Sequence, residues 1–136
     1  MSFTLAFEKL KFRDGTSLTV NEATWLEDTR LLELEEQGRD KNAAELAAIG
    51  ERELTKLEQK VQFFRLNIYP KMAACSEGDV PSEEEARRMP STELNKWYAA
   101  AKKVNPDWFA VFDQAVNQTA EQLAAEQKKS EKKRPK

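Results

Sequence analysis

Histidine is absent from this 136-residue chain, and cysteine occurs once, at Cys75. Without an imidazole to act as general base, the commonest catalytic arrangements are unavailable, and a zinc site would need several thiols where there is one. The residues therefore point to a chain that is not an enzyme, with no cofactor and no metal. A lone cysteine closes no internal disulfide, which fits a reducing compartment. No stretch approaches the roughly 18–20 apolar residues of a membrane span. Met1-Ser2-Phe3-Thr4 also lacks the basic start and apolar run of a signal peptide, so the expected location is the cytoplasm, with no membrane partner. Net charge is nearly missing too. The 22 basic and 24 acidic residues leave −2, which argues against a whole surface built for nucleic acid.

What is present is 40% hydrophobic and 34% charged residues, enough apolar material for one modest core. The charge is unevenly placed. Lys128 to Lys136 carries six Lys or Arg and one Glu, leaving 16 basic and 23 acidic residues, net −7, on residues 1–127. An acidic body with a basic tail is expected: a single domain over 1–127 and a disordered tail over 128–136.

The patterning predicts a mainly α chain: an N-terminal β-hairpin, then a helical bundle of about four to five helices with one long central helix. The hairpin spans 1–20. Phe3, Leu5 and Phe7 alternate, Leu10 and Phe12 alternate in the other parity, and Asp14-Gly15 marks the turn. A three-residue loop, Asp14-Gly15-Thr16, pairs Phe12 with Leu18 and Leu10 with Val20, keeping the apolar residues on one face. The parity switch at Glu8-Lys9 implies a bulge or break.

Asn21 caps a helix over 22–37, which Gly38 stops. Asn42 with Glu45 then reads as a capping box opening the long helix, 43–69. Ala47, Gly50, Leu54, Leu57, Val61, Phe64 and Ile68 form its seam at alternating three- and four-residue steps. Such a helix is about 40 Å long against a body of ~14 Å radius of gyration, which favours self-association. Pro70 ends it or kinks a continuation through Cys75. Residues 76–81 carry turn chemistry, and Ser82 with Glu85 caps a short helix over 83–89. A helix over 92–104 buries Leu94, Trp97, Tyr98 and Ala101. A last helix follows over 106–125, capped by Asn105 with Pro106 at its first position.

Each chemical candidate has a plain alternative. Cys75, beside Ala73, Ala74 and Tyr69, reads as a small buried residue rather than a nucleophile. Glu83-Glu84-Glu85 reads as a first helical turn complementing the helix dipole, ahead of a cation site or a metal-dependent enzyme. Trp97, Tyr98, Trp108, Phe109 and Phe112 read as core before a base-stacking platform. The basic tail suits nucleic acid or mere solubility.

From Ile68 to Phe109 the chain runs IYPKMAACSEGDVPSEEEARRMPSTELNKWYAAAKKVNPDWF. Tyr69-Pro70, Ala74-Cys75, Gly78 with Val80-Pro81, Met89-Pro90, Asn95-Lys96-Trp97-Tyr98 and Asn105-Pro106 with Trp108-Phe109 occur in an order that resembles the tail assembly chaperones of long-tailed phages and prophages. The likeness covers about a third of the chain. It implies a helical, non-enzymatic protein that coats the tape measure protein, keeps it soluble in the host cell cytoplasm, helps recruit tail-tube protein, and is absent from the mature virion. The resemblance also implies a longer form made by ribosomal frameshifting, for which the Lys128-Lys129 and Lys132-Lys133 pairs are candidate positions. A gene with no slippery heptamer at either pair removes that expectation. On this reading Leu54, Leu57, Val61 and Phe64, or the region of Trp97 and Trp108, form the client or self-contact surface of a homo-oligomer. The alternative is a nucleic-acid-associated accessory protein using the tail, whose salt-sensitive binding would vanish on removal of residues 128–136.

Overall fold

The structure, a computed structural model, describes residues 3–110. The chain divides into two compact units, Met1–Asn105 and Pro106–Lys136. In the second, residues 106–110 are helical; the remainder of the helix expected over 106–125, and the basic tail, lie outside the described residues. The first unit is a mainly helical fold that opens with an antiparallel hairpin and contains one long helix.

Strands β1 (Phe7–Lys11) and β2 (Ser17–Asn21) pair with Leu10 opposite Leu18 and Lys11 opposite Ser17. The loop has three residues as expected, but they are Arg13-Asp14-Gly15. The Gly15 N–H donates to the Phe12 carbonyl at 3.0 Å, and the Phe12 N–H to the Thr16 carbonyl at 2.9 Å. In a three-residue hairpin loop a type I turn is followed by a left-handed residue, so Gly15, at φ 90°, takes the last loop position rather than the middle one. Moving the loop by one residue changes the pairing by two, which leaves the faces intact. Leu10, Phe12, Leu18 and Val20 are all buried. The expected bulge at Glu8-Lys9 is not there. Register runs unbroken from Phe7 opposite Asn21 to Lys11 opposite Ser17, and Phe3, Leu5 and Phe7 are exposed on the other parity.

A third strand, β3 (Ser76–Gly78), pairs antiparallel with β2 where the sequence suggests only a turn. Gly78 has φ 104°, and a Cβ there would sit 3.1 Å from the Ser17 carbonyl oxygen. Glycine is needed for that approach.

The helix boundaries between 22 and 69 differ from the expected ones. Helix α1 (Trp25–Ile49) runs straight through Gly38, and the long helix is this one rather than 43–69. Its cap is Thr24, boxed with Glu27, because Asn21 belongs to β2. Gly38 is a packing residue: a Cβ on it would lie 3.1 Å from the Arg65 carbonyl oxygen. Gly50, at φ 76°, supplies the true stop, and Thr55 with Glu58 forms the box that starts α2 (Lys56–Phe63). From Phe64 to Ile68 the helix widens to a π turn, then narrows again as α3 (Tyr69–Ala74), with Pro70 at its start. Widening just ahead of Pro70 relieves the clash and the missing donor that proline brings to a regular helix.

Helices α4 (Glu83–Arg88), capped by Ser82 with Glu85 as expected, and α5 (Ser91–Val104) complete the unit. The core forms where the hairpin's buried face meets α5 and α3: Val20, Met72, Ala74, Trp97 and Ala101 are each inaccessible to solvent. Leu94 and Tyr98 are only half-buried, because the inward stripe of α5 runs through Glu93, Trp97, Ala100 and Ala101. Asn105 clamps the strand-to-helix link, accepting from the Ala23 N–H at 2.7 Å and donating to the Asn21 carbonyl at 2.9 Å.

Candidate interaction surface

Two helical arms, the C-terminal half of α1 and the whole of α2, extend from a buried ionic anchor. Arg65, in the π turn and 2% exposed, donates from Nε to Glu83 and from Nη1 to Glu45, and reaches Asn42 Oδ1 at 3.2 Å. Glu83 in turn receives Arg87 Nη2 at 2.9 Å. The Asn42 and Glu45 that read as a capping box are thus Arg65 partners three residues apart on one helix face. Arg65 holds the Glu45 carboxyl below its ordinary range. Charges of both signs alternate here, so the desolvation of one guanidinium is offset by its carboxylates.

Beyond that anchor the arms share few contacts and are joined through residues 50–55. Helix α1 packs on α3 and the π turn and hardly meets α2. Residues 43–48, rich in alanine and including Leu46, are exposed on every face of α1. On α2 Leu57 is 71% exposed, and a groove of about 550 Å³ runs along Lys56, Lys60, Phe63, Phe64 and Ile68. Lysine stems and aromatic rings make an apolar floor with a cationic rim. The base of α2 is set by Arg52, whose guanidinium grips Glu58 through two 2.8 Å bonds. Those bonds, with the Thr55 N–H, pull the Glu58 carboxyl down to about 2.

The six residues singled out from the sequence therefore separate. Leu57 is open to solvent; Val61 on α2, Leu54 in the link before it and Phe64 in the π turn after it are half-buried. Trp97 offers no surface at all. Its indole N–H donates to Ser76 Oγ at 2.9 Å and its ring meets Tyr69 edge-on at 6.3 Å, so it is core. Trp108 is half-buried and belongs to the other unit. Leu46, which the apolar pattern sets on the flank of the expected seam, is 40% exposed on α1.

Other chemical candidates have structural partners. Burial pushes the Cys75 thiol up to about 11, and its Sγ–H donates to the Lys71 carbonyl. Among the three glutamates of α4, Glu83 pairs with Arg65 and Arg87, Glu84 with Lys41 at 3.1 Å, and Glu85 caps Ser82. A second cleft, of about 850 Å³, lies between the hairpin turn and the α4–α5 corner, where Arg13 covers the buried Glu93 carboxylate at 3.0 Å. No described helix is long and apolar enough to cross a membrane. The chain matches no protein-family profile, no curated protein and no solved structure.

Proposed function

We propose that this protein is a non-enzymatic assembly chaperone of the phage-tail type, which holds an apolar helical client through its two arms. In that setting the client is the tape measure protein, kept soluble in the host cytoplasm until tail-tube subunits are recruited. The observation that carries the reading is the exposure of apolar side chains on both helices beyond the Arg65 anchor, Leu46 of α1 at 40% and Leu57 of α2 at 71%. A client helix laid along such arms would bury leucine side chains worth about 1.5–3 kcal/mol each. Residues that carry the resemblance, among them Pro70, Ala74, Cys75, Gly78 and Trp97, are scaffold: each is buried or sits at a close backbone contact. The arms lie before them in the chain, so client contact belongs to a part the resemblance does not cover.

Co-expression with a tape-measure fragment tests the reading. The wild-type chain is expected to carry the fragment into the soluble fraction, and a Leu46→Ser/Leu57→Ser variant with unchanged circular dichroism is expected to leave it in the pellet. A fragment that stays insoluble beside the wild-type chain would sink the proposal.

A further inference from the structure

We infer that the outer edge of β1 pairs with the same edge of a second copy, joining two three-stranded sheets about a two-fold axis near Ala6. The backbone makes this edge available. Ala6 continues the hairpin register, accepting the Glu22 N–H at 2.8 Å, and Phe12 donates to Thr16 at the other end. In an antiparallel ladder the bonding direction alternates along the strand. Even-numbered residues of β1 therefore bond inward to β2, and Phe7, Lys9 and Lys11 turn their N–H and C=O groups outward, where the Lys11 carbonyl already accepts from Lys96 Nζ at 2.9 Å. Among the described residues no strand lies on that side. The same parity carries the exposed apolar side chains, Phe3 at 79%, Leu5 at 44% and Phe7 at 62%. An extended segment with alternate apolar residues is the occupant such an edge accepts.

A second copy of this edge is such a segment, since Phe3, Leu5 and Phe7 alternate along it, and the charges set its direction. All the positive charge of the edge lies at one end, on Lys9 and Lys11, and the apolar residues lie at the other. A parallel neighbour would set lysine beside lysine, which is repulsive. An antiparallel copy brings its apolar end against the lysine end. With the axis at Ala6, Leu5 faces Phe7 of the partner subunit and Phe3 faces Lys9 of the partner subunit, whose stem can lie over the ring. Sliding the copies further toward the lysines brings Glu8 onto its own image and then Lys9 onto its own image, so the charged end limits the register. The opposite edge of β1 is occupied by β2, and pairing therefore closes at two. The edge lies away from both arms in sequence, and the inference does not depend on the client proposed above.

The test uses the full chain. Sedimentation across a concentration series is expected to show 15.6 kDa monomers in equilibrium with dimers of twice that mass. Phe7→Glu, at an exposed position, is expected to keep the circular dichroism and raise the dissociation constant by more than about tenfold. Ala6→Cys then reads the register. Facing residues of a non-hydrogen-bonded pair lie close enough for a disulfide, so this variant is expected to cross-link on mild oxidation, whereas Phe3→Cys is not. Cys75, being buried, does not compete. A chain that is monomeric throughout, a dimer indifferent to Phe7→Glu, or a dimer that Ala6→Cys fails to link while Phe3→Cys links would each overturn the inference.

Discussion

Gly38 and Arg65 meet backbone to side: a Cβ on Gly38 would stand 3.1 Å from the Arg65 carbonyl oxygen. In an exposed helix interior, replacing glycine by alanine gains roughly 0.5–1 kcal/mol. Here the sign is expected to reverse. The Arg65 backbone is held by its buried side chain and cannot easily yield, so Gly38→Ala is predicted to lower stability by about 1 kcal/mol in denaturant titrations. A stabilised variant would mean the contact gives way readily.

Removing one side of the buried ionic anchor should be costly. Arg65→Met leaves Glu83, 7% exposed, short of its main partner, and Glu83→Leu does the reverse to Arg65. Each change is predicted to cost about 3–5 kcal/mol, with the double variant Arg65→Met/Glu83→Leu recovering much of the loss. Urea unfolding of the four proteins checks it, and strict additivity would contradict a coupled pair.

Ser76 links two parts of the core, accepting the Trp97 indole N–H at 2.9 Å and donating to the Met72 carbonyl at 2.6 Å. Ser76→Ala strands the buried indole donor, an expected loss of about 1–3 kcal/mol. The same substitution in a Trp97→Phe background should cost less, which a double-mutant cycle measures.

Glu58 gives the start of α2 a defined acid response. Its folded carboxyl lies at about 2, below its ordinary 4.5, chiefly because Arg52 bonds the ionised form. The carboxylate therefore stabilises the fold above about 4.5, and this contribution is lost as pH falls from there through about 2. Amide exchange in α2 is expected to quicken over that window in the wild type, and Glu58→Gln is expected to remove that part of the pH dependence. Equal acid sensitivity in both would place the response elsewhere.

Cys75 should behave as an inert thiol. With its acidity pushed up to about 11 by burial, little thiolate forms near neutral pH and none is reachable from solvent. Labelling by a thiol reagent is predicted to follow the rate of unfolding and to accelerate in the Arg65→Met variant. Prompt labelling of the native protein would show that α3 opens locally.

The hairpin was legible because its information is local. Alternation placed Leu10, Phe12, Leu18 and Val20 on one face, and a pairing error of two residues preserves that face. Ser82 with Glu85 was legible for the same reason, as adjacent groups satisfying each other's backbone. Strand β3 was not, since Ser76-Glu77-Gly78 has little strand propensity and pairs only because β2 is there to receive it. Trp97 likewise carried two readings from its helical spacing, and only its burial against Ser76 and Tyr69 chose between them.

Between residues 22 and 69 the chain offers two stopping glycines, Gly38 and Gly50, and two capping boxes, Asn42 with Glu45 and Thr55 with Glu58. By itself the sequence determined that one long helix and a break lie there, along with the hairpin's faces and the short α4 cap, because propensity and capping act over three or four residues. Which glycine breaks the helix was decided by tertiary structure. Asn42 and Glu45 bond a buried guanidinium that arrives from 20 or more residues away, and Gly38 admits the backbone that carries it. A local cap worth about 1 kcal/mol cannot outweigh the desolvation of an unpaired buried arginine, and so the helix passes through Gly38 and ends at Gly50.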